Sequence, residues 1–147
     1  LVIVGKKNYF MNRLEHLMKE RMISDRIIFT GEISDTELVW LYMHARALVL
    51  PSLMEGFGLP ALEAMKFSCS VIASDIPVFH EICKEAAFYF NPLRTDQLTA
   101  LLHAVITESG KSEIQKKKDF GKKRAREFSW EKMVQQTISI YESCLGV

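Results

Sequence analysis

Five short apolar runs recur along this chain, at Leu1 to Val4, Arg26 to Phe29, Ala47 to Leu50, Val71 to Ala73 and Ala87 to Phe90. Runs this short, apolar on both faces and bounded by Gly, Pro, Asn or Ser, suit strands of a parallel sheet covered by helices. The intervening stretches carry the other period. Phe10, Leu14, Leu17 and Met18, then Leu38, Leu41, Tyr42 and Ala45, then Leu98, Leu101, Leu102, Val105 and Ile106 each line one side of a helix. Such alternation predicts an α/β fold, a doubly wound, Rossmann-like parallel sheet in a single domain over 1–147.

Helix-start signals agree with that reading. Ser34 and Glu37 have the spacing of a capping box. Pro60 suits the first turn of a helix bearing Leu62, Glu63, Ala64 and Met65, because its missing N–H would be unpaired there anyway. Thr95 is expected to cap the Leu98 to Ile106 helix, and Ser129 the last helix, about 129–145. The stripe Trp130, Met133, Val134, Thr137, Ile138 and Tyr141 should then pack back on the domain or toward a missing half, with Trp130 anchored in the core.

Composition removes several functional classes. At 147 residues and 48% apolar, the chain can bury a core without disulfides or metals. A net charge of +1 gives no reason to expect nucleic acid as a partner. The apolar runs fall far short of the roughly 20 residues that cross a bilayer. Cys69, Cys83 and Cys144 have neither metal-site nor disulfide-framework spacing, which fits a cytoplasmic setting. The sequence opens on a strand already under way, as expected of an excised piece of a larger protein.

The chemistry concentrates in Glu55-Gly56-Phe57-Gly58-Leu59-Pro60-Ala61-Leu62-Glu63-Ala64-Met65, two carboxylates with a glycine-rich bend running into a helix. Unpaired amides at a helix start, with the positive end of its dipole, attract anions. Ionised carboxylates accept from hydroxyls and donate nothing. Both together suit a ligand carrying phosphate and sugar. In doubly wound sheets ligands sit at the carboxyl ends of strands, so Gly5 to Lys7, Phe29 to Glu32, Ser52 to Leu59 and Ser74 to Val78 should converge on one edge.

Phe29-Thr30-Gly31, Leu41-Tyr42, Ala45, Pro51-Ser52, Glu55 through Met65, Val71 to Ser74, Glu81, Phe90-Asn91-Pro92 and Phe128-Ser129-Trp130 fall in an ordered series. In order and spacing it resembles the C-terminal, donor-binding domain of retaining glycosyltransferase family 4 (glycosyl transferases group 1), a GT-B enzyme family. The resemblance spans nearly the whole chain. It implies transfer of a sugar from a nucleoside-diphosphate sugar to a glycan, lipid-linked or other acceptor, with retention at the anomeric carbon, no cofactor and no obligatory metal. Carried over, Glu55 is the catalytic residue facing the sugar and Glu63 holds the ribose hydroxyls. Gly56, Phe57, Gly58 and Leu59 line the sugar and phosphate, while Thr30, Gly31 and Gly5 complete the donor contacts. The acceptor belongs to an absent N-terminal domain, so the fragment is expected to be inactive alone. The full-length enzyme would work in the cytoplasm, touching the inner face of the membrane peripherally where the acceptor is lipid-linked.

Departures from the family pattern bear on that reading. Ser68 and Ser70 stand where the family has Gly and Pro, and His80 where it has Pro. They motivate the alternative of a catalytically inactive or regulatory nucleotide-sugar-binding module. A dinucleotide-dependent oxidoreductase is disfavoured because Gly5-Lys6-Lys7 supplies no Gly-x-Gly-x-x-Gly after the first strand. Lys6 and Lys7 read as solvated lysines or phosphate contacts. His80 reads as a structural histidine or a ligand contact. For Glu63, a place one turn inside an otherwise buried helix argues that the carboxylate has a partner. The basic run Lys116-Lys117-Lys118 with Lys122, Lys123, Arg124 and Arg126 lacks aromatic interleaving and reads as a solvated face.

Overall fold

A computed structural model describes residues 1–6 and 9–145, apart from the side chain of Phe10. Lys7 therefore lies outside the described residues. In place of one body, the chain divides into two compact units, Leu1–Trp40 and Leu41–Val147. In the first, β1 (Val2–Val4), α1 (Tyr9–Glu20), β2 (Ile28–Gly31) and the start of α2 (Asp35–His44) follow one another. Strands β1 and β2 pair in parallel, with Val2 opposite Ile28 and Val4 opposite Gly31. The second strand begins later than the apolar run suggests, because Ser24–Arg26 forms a single tight helical turn. The capping box is formed: the Glu37 Nα–H donates to Ser34 Oγ at 3.3 Å, and the Ser34 Nα–H to Glu37 Oε2 at 2.8 Å. Those bonds from Ser34 hold the Glu37 carboxyl below its ordinary pKa.

The second unit contains β3 (Ala47–Leu50), α3 (Leu59–Lys66), β4 (Ser70–Ser74), α4 (Pro77–Cys83), β5 (Ala87–Phe90), α5 (Thr95–Ile106), α6 (Lys111–Ala125) and α7 (Trp130–Leu145). Its sheet runs β3-β4-β5, parallel throughout, with Ala47 opposite Ser70 and Ser74 opposite Phe90. The α/β class and parallel pairing are as the alternation predicts, although the strands fall into two sheets rather than one. All five residues of β4 are buried, as a central strand covered on both faces requires. Ile72, Phe90 and Val105 form a core with Leu98, Leu101 and Leu102 of α5 packed against it. Ala61, Leu62, Ala64 and Met65 of α3 are also buried.

Three side-chain expectations change here. Thr95 is the first residue of α5 and not its cap; Arg94 occupies the cap position without a side-chain cap bond and instead pairs with Asp96. Ser129 does cap α7, its Oγ accepting from the Lys132 Nα–H at 3.1 Å. The α7 stripe, however, is uncovered, and Trp130 is 68% exposed rather than a core anchor. The basic helix α6 is not simply solvated. Arg124, with only 11% of its side chain exposed, donates to the carbonyls of Ile82 and Glu81 at 3.0 and 2.9 Å, and Lys117 donates to Ala87 at 2.9 Å. The Arg124 guanidinium over the last carbonyls of α4 satisfies groups that a helix end leaves unpaired.

The Ser68 departure is absorbed by the backbone. Ser68 has φ 60°, the left-handed region a glycine would enter freely, in the turn between α3 and β4. Ser68→Gly should therefore stabilise the fold by about 1 kcal/mol, the lower end of the left-handed penalty. A urea midpoint that does not rise would count against stored strain there. Among the described residues, no helix is long and apolar enough to cross a membrane.

Candidate functional site

Because β3 and β4 are parallel, the loop after β3 and the turn after β4 leave the same edge of the three-stranded sheet. The first carries Pro51 to Gly58. Within it Glu55, half-buried, accepts from Ser52 Oγ at 2.6 Å. That bond holds one carboxylate oxygen and leaves the other with acceptor capacity. The loop ends at Gly58, buried, with φ 86° and ψ 40°, at the cap position of α3. A Cβ built there would lie 3.0 Å from Phe79 Cε1, so both the positive φ and the close approach require glycine. Pro60 sits in the first turn, as its missing donor allows. The exposed main chain of Gly56 and Phe57 and the opening of α3 thus form the amide-rich segment that anion binding calls for.

Glu63 lies on α3 with buried neighbours at Ala61, Leu62, Ala64 and Met65, yet it is itself exposed. The premise of a buried carboxylate therefore fails, because the helix turns this position outward, although the expected partner is present. What holds it is Tyr42, whose hydroxyl donates to Glu63 Oε2 at 3.0 Å. Burial of the ring and the neighbouring carboxylate both push the Tyr42 hydroxyl pKa up, so it remains a donor. One Glu63 oxygen is committed to Tyr42, and the second can accept from a ligand.

Aromatic packing fixes the bend from behind. Phe57 meets Phe128 edge-on at 5.9 Å between centroids, and Arg124 lies over the Phe128 ring at 4.5 Å. Phe57 is also partly exposed, as is Leu59, so each presents apolar surface beside the amides. His80 is not isolated. Its Nε2 lies 2.6 Å from Asp75 Oδ1, and its ring stacks on Tyr89 at 4.1 Å.

In the first unit, Gly5, Thr30 and Gly31 come together at the carboxyl end of β2. The Gly5 Nα–H donates to the Gly31 carbonyl at 3.1 Å, and Thr30 Oγ1 donates to the same carbonyl at 3.0 Å. Lys6 there is exposed and pairs with Glu32 at 3.6 Å. The structure thus brings Glu55, Gly56, Phe57, Gly58, Leu59 and Glu63 together in one unit, and Gly5, Thr30 and Gly31 together in the other. Two supporting residues escaped the sequence reading. Ser52 was legible, since Ser-x-x-Glu is capping-box spacing. Tyr42 reads there as helix packing and as part of the family series with no partner assigned, although a buried tyrosine hydroxyl calls for one. Among the described residues no group of three or more His, Cys, Asp and Glu could hold a metal ion.

Comparison with known proteins adds independent findings. The chain is 44% identical over 92 residues to the O-antigen chain mannosyltransferase RfbU of Salmonella typhimurium, covering 63% of this chain and 26% of that protein. It is 36% identical over 136 residues to the MMP alpha-(1->4)-mannosyltransferase of Mycolicibacterium hassiacum, covering 90% of this chain and 33% of that one. The crystal structure of Anabaena HepE in complex with UDP-glucose superposes with a TM-score of 0.85 at 18% identity, over 97% of this chain and 40% of HepE. The chain therefore spans well under half the length of each. The model of the family described as glycosyl transferases group 1 matches residues 1–127, and the chain belongs to that family.

Proposed function

We propose that the chain is the donor-binding part of a glycosyltransferase that moves a sugar from a nucleoside-diphosphate sugar to a glycan or lipid-linked acceptor. In this reading the anomeric configuration is retained and no metal is needed. The observation that carries it is the segment from Glu55 to Glu63: a Ser52-held carboxylate, a left-handed Gly58 opening α3, and an outward carboxylate braced by Tyr42. Glu55 faces the transferred sugar, and Glu63 accepts from the ribose hydroxyls. The main chain of Gly56, Phe57, Gly58 and Leu59 contacts sugar and pyrophosphate, and Gly5, Thr30 and Gly31 contribute main-chain contacts to the donor. The names of RfbU and the Mycolicibacterium relative support mannose as the sugar. The UDP-glucose bound to HepE supports a nucleotide-linked donor. We place the enzyme in the cytoplasm, at the inner membrane face when its acceptor is lipid-linked, with an N-terminal domain holding that acceptor.

A panel of nucleotide sugars tested against the full-length protein checks this directly, because a ligand bound only by the native state raises the melting temperature. At least one nucleoside-diphosphate sugar should do so; a panel with no stabiliser would overturn the proposal. Glu63→Gln keeps an acceptor for Tyr42 but weakens the charge-assisted bonds to a diol. A hydrogen bond to a charged group is worth about 1.5–3 kcal/mol, or roughly 10- to 100-fold in Kd. Calorimetry of that variant with unchanged donor affinity would remove Glu63 from the ribose role.

A further inference from the structure

A cavity of about 250 Å³ opens away from the donor loops, lined by Arg46, Ser70, Val105, Glu108, Lys111, Ile114, Gln115 and Lys118. Ser70 is the first residue of β4, whereas the Glu55 loop follows the last residue of the parallel β3. The cavity therefore sits at the amino edge of the sheet, about 13 Å along β4 from the edge those loops leave, at the usual rise per residue. Its floor and rim differ in character. Ser70 is 3% exposed, and its Oγ has no hydrogen-bond partner. Buried hydroxyls in native structures nearly always have one, so an unpaired hydroxyl on a residue of the cavity wall marks a place for a ligand.

Three cations line the same cavity against a single carboxylate. Glu108 accepts from Arg46 Nη1 at 2.6 Å and from Lys111 Nζ at 2.8 Å, and both bonds hold its carboxyl below the ordinary pKa. One carboxylate is thus spread over two cations. Lys118, half-buried and one face along α6 from Lys111 and Gln115, has no ion-pair partner among the described residues. Its ammonium is near enough to Cys69, the neighbour of Ser70, to oppose the rise that burial imposes on that thiol. Lys111 opens α6, and with Gln115 and Lys118 it lines the cavity from one side of that helix. The volume lies below the roughly 300–1,000 Å³ of pockets for drug-sized ligands.

We propose that this cavity is a second, anion-binding site of the protein, taking a small phosphoryl dianion between Lys118, Lys111, Arg46 and the Ser70 hydroxyl. Oxygens of a tetrahedral dianion accept from N–H and O–H donors alike, whereas an apolar or cationic ligand would satisfy none of these groups. The phosphoryl group arrives either as the free ion or on a small sugar, and the two sources share this chemistry. The site is independent of the donor segment and stands whether or not that segment performs the proposed transfer.

The test uses the ¹⁵N-labelled full-length protein at constant ionic strength, titrated separately with inorganic phosphate and with a hexose 1-phosphate. Amide shifts should saturate at Ser70, Lys111, Gln115 and Lys118 in at least one arm. Saturation in the phosphate arm assigns the free ion; saturation only in the other assigns the sugar ester. Lys118→Gln should weaken that binding at least 10-fold while leaving nucleotide-sugar affinity unchanged. Ser70→Ala should weaken it too, yet raise the melting temperature of the unliganded protein, because it deletes an unpaired buried hydroxyl. Shifts confined to Gly56 through Leu59, or binding unaffected by Lys118→Gln, would overturn the proposal. So would a lowered melting temperature for Ser70→Ala, which would mean the hydroxyl already serves the fold.

Discussion

Gly58→Ala should destabilise the protein by about 2–5 kcal/mol. Two costs combine. The residue has φ 86°, where an L side chain loses about 1–2 kcal/mol. Its new Cβ would also stand 3.0 and 3.3 Å from Phe79 Cε1 and Cδ1. Phe79 is fully buried, so it cannot swing aside, and overpacking of this kind costs about 1–3 kcal/mol. Gly56 is the matched control. Nothing lies within 4 Å of its hypothetical Cβ and its φ is not in the left-handed range, so Gly56→Ala should fall within about 0.5 kcal/mol of the parent, as surface changes do. Urea unfolding of the pair measures the difference directly. Similar midpoints for both variants would mean that α3 starts in some other way than the geometry indicates. Because Gly58 opens the helix that carries Glu63, its loss should also weaken donor binding.

Glu55→Ala should lower turnover of the full-length enzyme at least about 100-fold, within the range ascribed to a positioned acid or base. Binding of the free nucleotide should change little. The side chain sits in a half-buried loop and spends one bond on Ser52, so its removal leaves no core cavity, and unfolding midpoints should stay close to the parent. The discriminating measurement is the split between kcat and nucleotide Kd. If both fall together, the carboxylate holds the loop in shape through Ser52 and does not serve the sugar. Ser52→Ala sharpens the comparison, since it frees Glu55 without removing it and should reduce turnover less than Glu55→Ala does.

Much of the architecture was written in local spacing. Ala47–Leu50 and Ala87–Phe90 are strands with the bounds their apolar runs suggest, because a buried parallel strand needs nothing beyond a short apolar segment between turn residues. The Ser34–Glu37 box and the Ser129 cap form as their spacing indicates. Each closes within three residues, so no distant packing is required. The positive φ at Gly58 and the proline after it likewise follow from one bend entering one helix.

The partners of those residues lie beyond local reach. Tyr42 and Glu63 are 21 positions apart, and Arg124 and Ile82 are 42; only the meeting of α2 with α3 and of α6 with α4 joins them. Helical period alone made Glu63 look enclosed and Trp130 look anchored, because period tells which side chains share a face and not what covers that face. The same holds for the cavity at Ser70. Its cations come from the turn before β3 and one side of α6, and its carboxylate from the link after α5, and three segments meeting beside an unpaired hydroxyl is a property of packing that no spacing along the chain records.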